Sequence, residues 1–67
     1  MEVILNGENL MLPEEIVSVS DLLEYYKLLN KVVVIELNGE ILNRGAHQET
    51  RLSDRDRIEI VHFVGGG

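Results

Sequence analysis

The residues with the sharpest chemical reading are Gly65, Gly66 and Gly67, which follow directly on an apolar segment. Glycine loses more conformational freedom on folding than any other residue and has no side chain to pack, so three in succession do not stabilise a fold. They do make a thin, extensible arm carrying an α-carboxylate. Three residues reach at most about 10 Å, enough to enter a channel that a Cβ would block. With a pKa of about 3.3–3.7 the carboxylate is ionised at neutral pH and is a poor electrophile. A nucleotide-using partner can convert it to an acyl adenylate. A sulfur donor that displaces the nucleotide leaves a thiocarboxylate; an amine leaves an isopeptide. The competing reading is a frayed or appended tail without chemistry.

Other reactive side chains have blander readings. His47 and His62 lack cysteine partners and ligand spacing, so surface positions in a loop and a strand are expected, and no metal. Asp54, Asp56 and Glu59 cluster as a cation site would, but a solvated turn accounts for them. Of Tyr25 and Tyr26, the second is expected in the core and the first partly exposed. Arg44 and Arg51 fit partner contact and ordinary solubility equally.

The elements that must position the arm begin with an apolar segment at residues 2–5, then Asn6-Gly7, then a return strand at 8–12 closed by Pro13. Asn-Gly between apolar runs is the strongest short hairpin signal, because both turn residues must accept positive φ. Ser18 is placed to cap a helix, with Asp21 closing a capping box and Val17 and Leu22 at the positions of a hydrophobic staple. Val19, Leu22, Leu23 and Tyr26 follow helical spacing, Leu29 extends the stripe, and the helix is expected over residues 18–30. A β-branched strand at 32–37 precedes a second turn, Asn38-Gly39, and a return through Ile41 and Leu42. Residues 43–56 are polar and without period, with one helical turn around 46–49 and a short strand at 50–52 expected. The last strand is read at 57–64. One helix cannot cover both faces of five strands, so it crosses one face of a single mixed sheet, an α+β arrangement. The expected core is Val3, Leu5, Leu10 or Met11, Leu12, the helix stripe, Ile35, Leu37, Leu52, Ile58 and Ile60.

Composition narrows the function. The 67 residues are 45% apolar, with 12 acids against 6 bases, a net charge of -6 and no cysteine. The acidic balance argues against nucleic acid. The absence of cysteine excludes disulfides and thiolate chemistry. No apolar run approaches the roughly 20 residues of a membrane span. The opening MEVILNGE has no basic region of a signal peptide, so the cytoplasm is expected. A core this small cannot surround a pocket of about 300–1,000 Å³, which favours a carrier or binding module over an enzyme.

Four pieces of the chain resemble the ThiS family, the small sulfur carriers of thiamin thiazole biosynthesis. They are MEVILNGE, SVSDLLEYYKL, VVVIELNGEIL and DRDRIEIVHFVGGG, which together span essentially all of it. The resemblance implies a ubiquitin-like β-grasp fold over residues 1–64, with the first and last strands parallel and central, and a mobile tail at 65–67. It implies no catalytic residue and no bound cofactor. A ThiF-like adenylyltransferase would use ATP to adenylate Gly67. Sulfur from a donor such as a cysteine desulfurase system would convert it to a thiocarboxylate, and thiazole synthase, ThiG, would receive the sulfur. Gly66 is then the other half of the functional Gly-Gly, and Gly65 belongs to the arm. One departure is Arg55, where the family often has glycine in an Asp-Gly-Asp turn.

Rival readings share the fold. The small subunit of molybdopterin synthase has a similar tail but often carries proline before its final glycines, unlike HFVGGG. A ubiquitin-like modifier would pass its acyl group to lysine, and a pure interaction domain would leave the glycines inert. Strand parity places Ile4, Val32, Val34, Val61 and Phe63 on the sheet face away from the helix, and an exposed apolar patch there is expected to dock partners.

Overall fold

A computed structural model describes residues 1–62. The elements are β1 (Glu2–Leu5), β2 (Glu8–Met11), α1 (Val19–Tyr25), β3 (Val33–Leu37), β4 (Glu40–Leu42), a single 3-10 turn (Arg44–Ala46) and β5 (Arg57–His62). The strands form one sheet in the order β2-β1-β5-β3-β4. β1 and β5 are parallel and the other pairings antiparallel. This is the mixed sheet crossed by one helix, a β-grasp α+β fold. The expected boundary between residues 64 and 65, and Phe63 with the glycines, lie outside the described residues.

Both hairpins turn as the sequence requires. Asn6 and Gly7 have φ of 49° and 84°, Asn38 and Gly39 of 51° and 89°. Positive φ at both central residues matches the right-handed twist of the flanking strands, which is why Asn-Gly suits them.

The start of α1 satisfies every backbone donor that a helix leaves unpaired. The Val19 and Ser20 amides donate to the carbonyls of Thr50 and His47, at 3.0 and 3.1 Å. The Asp21 amide donates to Ser18 Oγ, and Asp21 Oδ2 accepts from the amides of Val17 and Ser18, completing the capping box. The aperiodic segment 43–56 is therefore ordered by docking on the helix start. The Leu52 amide donates to the Val17 carbonyl, which carries Leu52 into the core. The strand expected at 50–52 is only a single bridge between Ser18 and Arg51, whereas the turn expected around 46–49 is present, closed by the Glu49 and Thr50 amides on the Ala46 carbonyl, with the 3-10 turn leading into it.

The helix ends earlier than its apolar spacing suggests. Lys27 adopts φ 61°, its amide donates to Glu24, and the Leu28 amide donates to Leu23. This is a Schellman turn, with a lysine where glycine is commoner. It swings Leu28 against the core and leaves Leu29 and Tyr26 outside it, 45% and 40% exposed. Tyr26 instead packs edge-on against Tyr25, with ring centroids 5.2 Å apart.

The core between sheet and helix is Val3, Leu5, Leu12, Ile16, Val19, Leu22, Leu23, Ile35, Leu52 and Ile58. Leu10, Leu37 and Ile60 pack at its edge, whereas Met11 points away and is exposed. Among the described residues Ile16 is the one buried core residue the sequence reading omits. It follows Pro13 outside any periodic run, and its amide closes a turn on the Pro13 carbonyl. No helix among the described residues is long and apolar enough to cross a membrane.

Candidate functional site

The proposed arm continues from β5, so what holds β5 matters most. β5 lies between β1 and β3, the middle position of the five-stranded sheet. On the β1 side, Ile4 donates to the Asp56 carbonyl and Asn6 to the Ile58 carbonyl, both at 2.9 Å. There β1 turns away, and the Asn6 side chain takes over. Its Oδ1 accepts from the Ile60 amide at 2.8 Å, and its Nδ2 donates to the Ile60 carbonyl at 3.3 Å. A side-chain amide thus stands in for the next peptide group of the ladder. Asn38 of the other turn grips the opposite end of β5. Its Oδ1 accepts from the Arg57 amide, and its Nδ2 donates to Asp56 Oδ1. On the β3 side β5 is paired as far as His62, opposite Val33. Sequence reasoning gave both asparagines a turn role only; these cross-strand bonds carry no local signal.

The sheet face away from α1 carries much of the expected apolar patch. Val34 and Val61 are direct cross-strand partners and both exposed, Val61 by 52%. Two residues not assigned to the patch share that face by register: Ile41 opposite Glu36, and Met11 opposite Glu2, exposed by 71% and 74%. Strand parity alone would have found both. Ile4 is on the same face but not beside Val61. It pairs with Arg57 at the far end of β5, where it lines a depression of about 220 Å³ with Glu2, Val3, Asn9 and Arg55. Val32 precedes β3 and is exposed, so strand parity no longer places it. Phe63, Gly65, Gly66 and Gly67 lie outside the described residues.

The remaining candidates have structural roles. Asp54 Oδ1 accepts from the Glu2 amide, and Asp56 Oδ2 from the Ser53 amide. These carboxylates close the turn, so the turn is more than solvated. Its middle residue, Arg55, has φ 69°, a left-handed conformation that glycine adopts without strain. His47 is buried, contrary to the surface position expected, because segment 43–56 folds onto the helix start. Among the described residues no three His, Asp or Glu side chains converge on a metal position. Asp21 has its carboxyl held below its ordinary pKa of 3.8, mainly by the Val17 amide and then by that of Ser18.

Comparison with known proteins completes the picture. The model of the ThiS family matches residues 3–67. The sulfur carrier protein ThiS of Bacillus subtilis is 48% identical over 63 residues, covering 94% of this chain and 96% of that one. A thiazole synthase of Paramagnetospirillum magneticum is 31% identical over 67 residues, 100% of this chain but 20% of that protein. The crystal structure of the thiamine biosynthesis protein ThiS from Geobacter metallireducens superimposes with a TM-score of 0.82 at 35% identity, covering 100% of both chains. Sequence and fold agree along the whole length: the chain belongs to the ThiS family.

Proposed function

We propose that this chain is a sulfur carrier for thiamin thiazole biosynthesis, a protein cosubstrate without catalytic residues of its own. The observation that carries the reading is the match to the ThiS family through residue 67, on a fold whose last strand runs centrally toward the three glycines. In this reading the Gly67 carboxylate attacks the α-phosphate of ATP in a ThiF-like adenylyltransferase, and pyrophosphate leaves. A persulfide supplied by a cysteine desulfurase system attacks the acyl carbon through its outer sulfur and AMP leaves; a thiol then reduces the resulting acyl disulfide, releasing the thiocarboxylate and ending as a disulfide. The thiocarboxylate then delivers its sulfur to a thiazole synthase. The alignment of this whole chain with a fifth of a thiazole synthase supports that partnership. In this reading Val34 and Val61 centre the docking patch, to which the sequence also assigns Ile4, Val32 and Phe63, and the net charge of -6 steers it toward basic surrounds.

The test uses the full chain, the adenylating enzyme, ATP and a sulfur source, with intact mass as readout. The wild type should gain one sulfur in place of one oxygen. Deleting Gly67 retracts the carboxylate by about 3.5 Å, and Gly66→Val adds a branched Cβ to the thinnest part of the arm. Both variants should fold and bind the enzyme yet fail to charge, because reaction needs the acyl carbon within about 3–3.5 Å of its attacker. Efficient charging of the deletion variant overturns the assignment to Gly67.

A further inference from the structure

We infer that Asn6 is a positioning residue for charging, its side-chain amide fixing the point from which residues 63–67 must reach the partner's reaction centre. The inference rests on the carrier reading above. It starts from the two bonds to Ile60, which an Asn-Gly turn does not need. Positive φ at position 6 is met equally by glycine, so the turn alone does not call for this side chain. The amide holds both backbone groups of Ile60, two residues before the end of β5, on the side where β1 has already turned away. Without it, β5 is held beyond the Ile58 carbonyl only from β3. The five residues after His62 span at most about 17 Å when drawn taut, so a shift of about 1 Å at the base is taken directly from the reach of the terminal carboxylate. A displacement of that size costs on the order of 100-fold in a reaction that depends on alignment.

The other Asn-Gly turn supplies an internal control. Asn38 makes the same kind of side-chain bonds, but to Arg57 and Asp56 at the start of β5, away from the arm. Asn6→Gly and Asn38→Gly each keep a residue suited to positive φ and each remove two side-chain bonds, at Asn38 one to the Arg57 amide and one to the Asp56 carboxylate just ahead of the strand. A purely structural role predicts equal effects; a positioning role does not.

The experiment is steady-state charging of wild type, Asn6→Gly, Asn6→Asp and Asn38→Gly by the adenylating enzyme with ATP and a sulfur source. It is run well below every variant's melting temperature, with amide hydrogen exchange at Ile60 as a second readout. Asn6→Gly should lower kcat by about 10- to 100-fold while KM, set by the docking face, stays within about twofold. Asn6→Asp keeps the acceptor for the Ile60 amide and should restore part of kcat. Asn38→Gly should charge at the wild-type rate, and exchange at Ile60 should quicken in Asn6→Gly alone. Equal charging by Asn6→Gly and wild type, or equal slowing by both glycine variants, overturns the inference. A wild type that does not charge overturns the carrier reading itself, and this inference with it.

Discussion

Asp21 illustrates how much one side chain does here. One carboxylate oxygen accepts two backbone amides, from Val17 and Ser18, and its own amide returns to Ser18 Oγ. Those bonds favour the charged form and hold its pKa below the ordinary 3.8. A depressed pKa in the folded state means stability that is fully present above the unfolded value. It is lost as pH falls through the folded one. Acid melts should therefore show a falling limb below about pH 4, and Asp21→Asn should flatten it; an unchanged limb would remove Asp21 from the account. The capping box was readable because its signal is local, two residues three apart. The second role of Asn6 was not, because its partner Ile60 is 54 residues away and nothing near Asn6 distinguishes a clamp from a turn.

Element boundaries show the same division between local and tertiary causes. The stripe Val19, Leu22, Leu23 is buried as its spacing requires, and the two hairpins form where Asn-Gly stands. The helix stops at Tyr25 although leucines continue, because the turn at Lys27 presents Leu28 and not Leu29 to the core. Spacing could not reveal this, since Lys27 is an ordinary helix former with no stop signal of its own. Leu23→Ala should cost about 2–5 kcal/mol as a core truncation, while Leu29→Ala should stay within about 0.5 kcal/mol as a surface change. Paired denaturation curves check both, and similar losses at the two positions would restore the longer helix. Segment 43–56 looked like loop because it is polar and aperiodic; its order comes from donors at the helix start. At residue 55 the backbone keeps the left-handed conformation that glycine favours, with φ of 69°, although arginine stands there.

At the scale of the whole molecule, one sheet face packs the helix and the other exposes the Val34–Val61 pair. Apolar side chains left on such a face suit a partner surface. Val61→Asp should leave the melting temperature nearly unchanged, because Val61 is half exposed, while weakening binding to both the adenylating enzyme and thiazole synthase. Calorimetric titration checks both affinities, and their survival would move docking elsewhere on the chain. The central claim is that the chain carries sulfur on Gly67. Its most direct test is intact-mass and fragment analysis of the protein from thiamin-limited cells lacking thiazole synthase, where a charged carrier has no acceptor. The account predicts a population with one oxygen replaced by one sulfur, located at Gly67. Protein that is wholly uncharged, or found joined to lysines through isopeptide bonds, would contradict it.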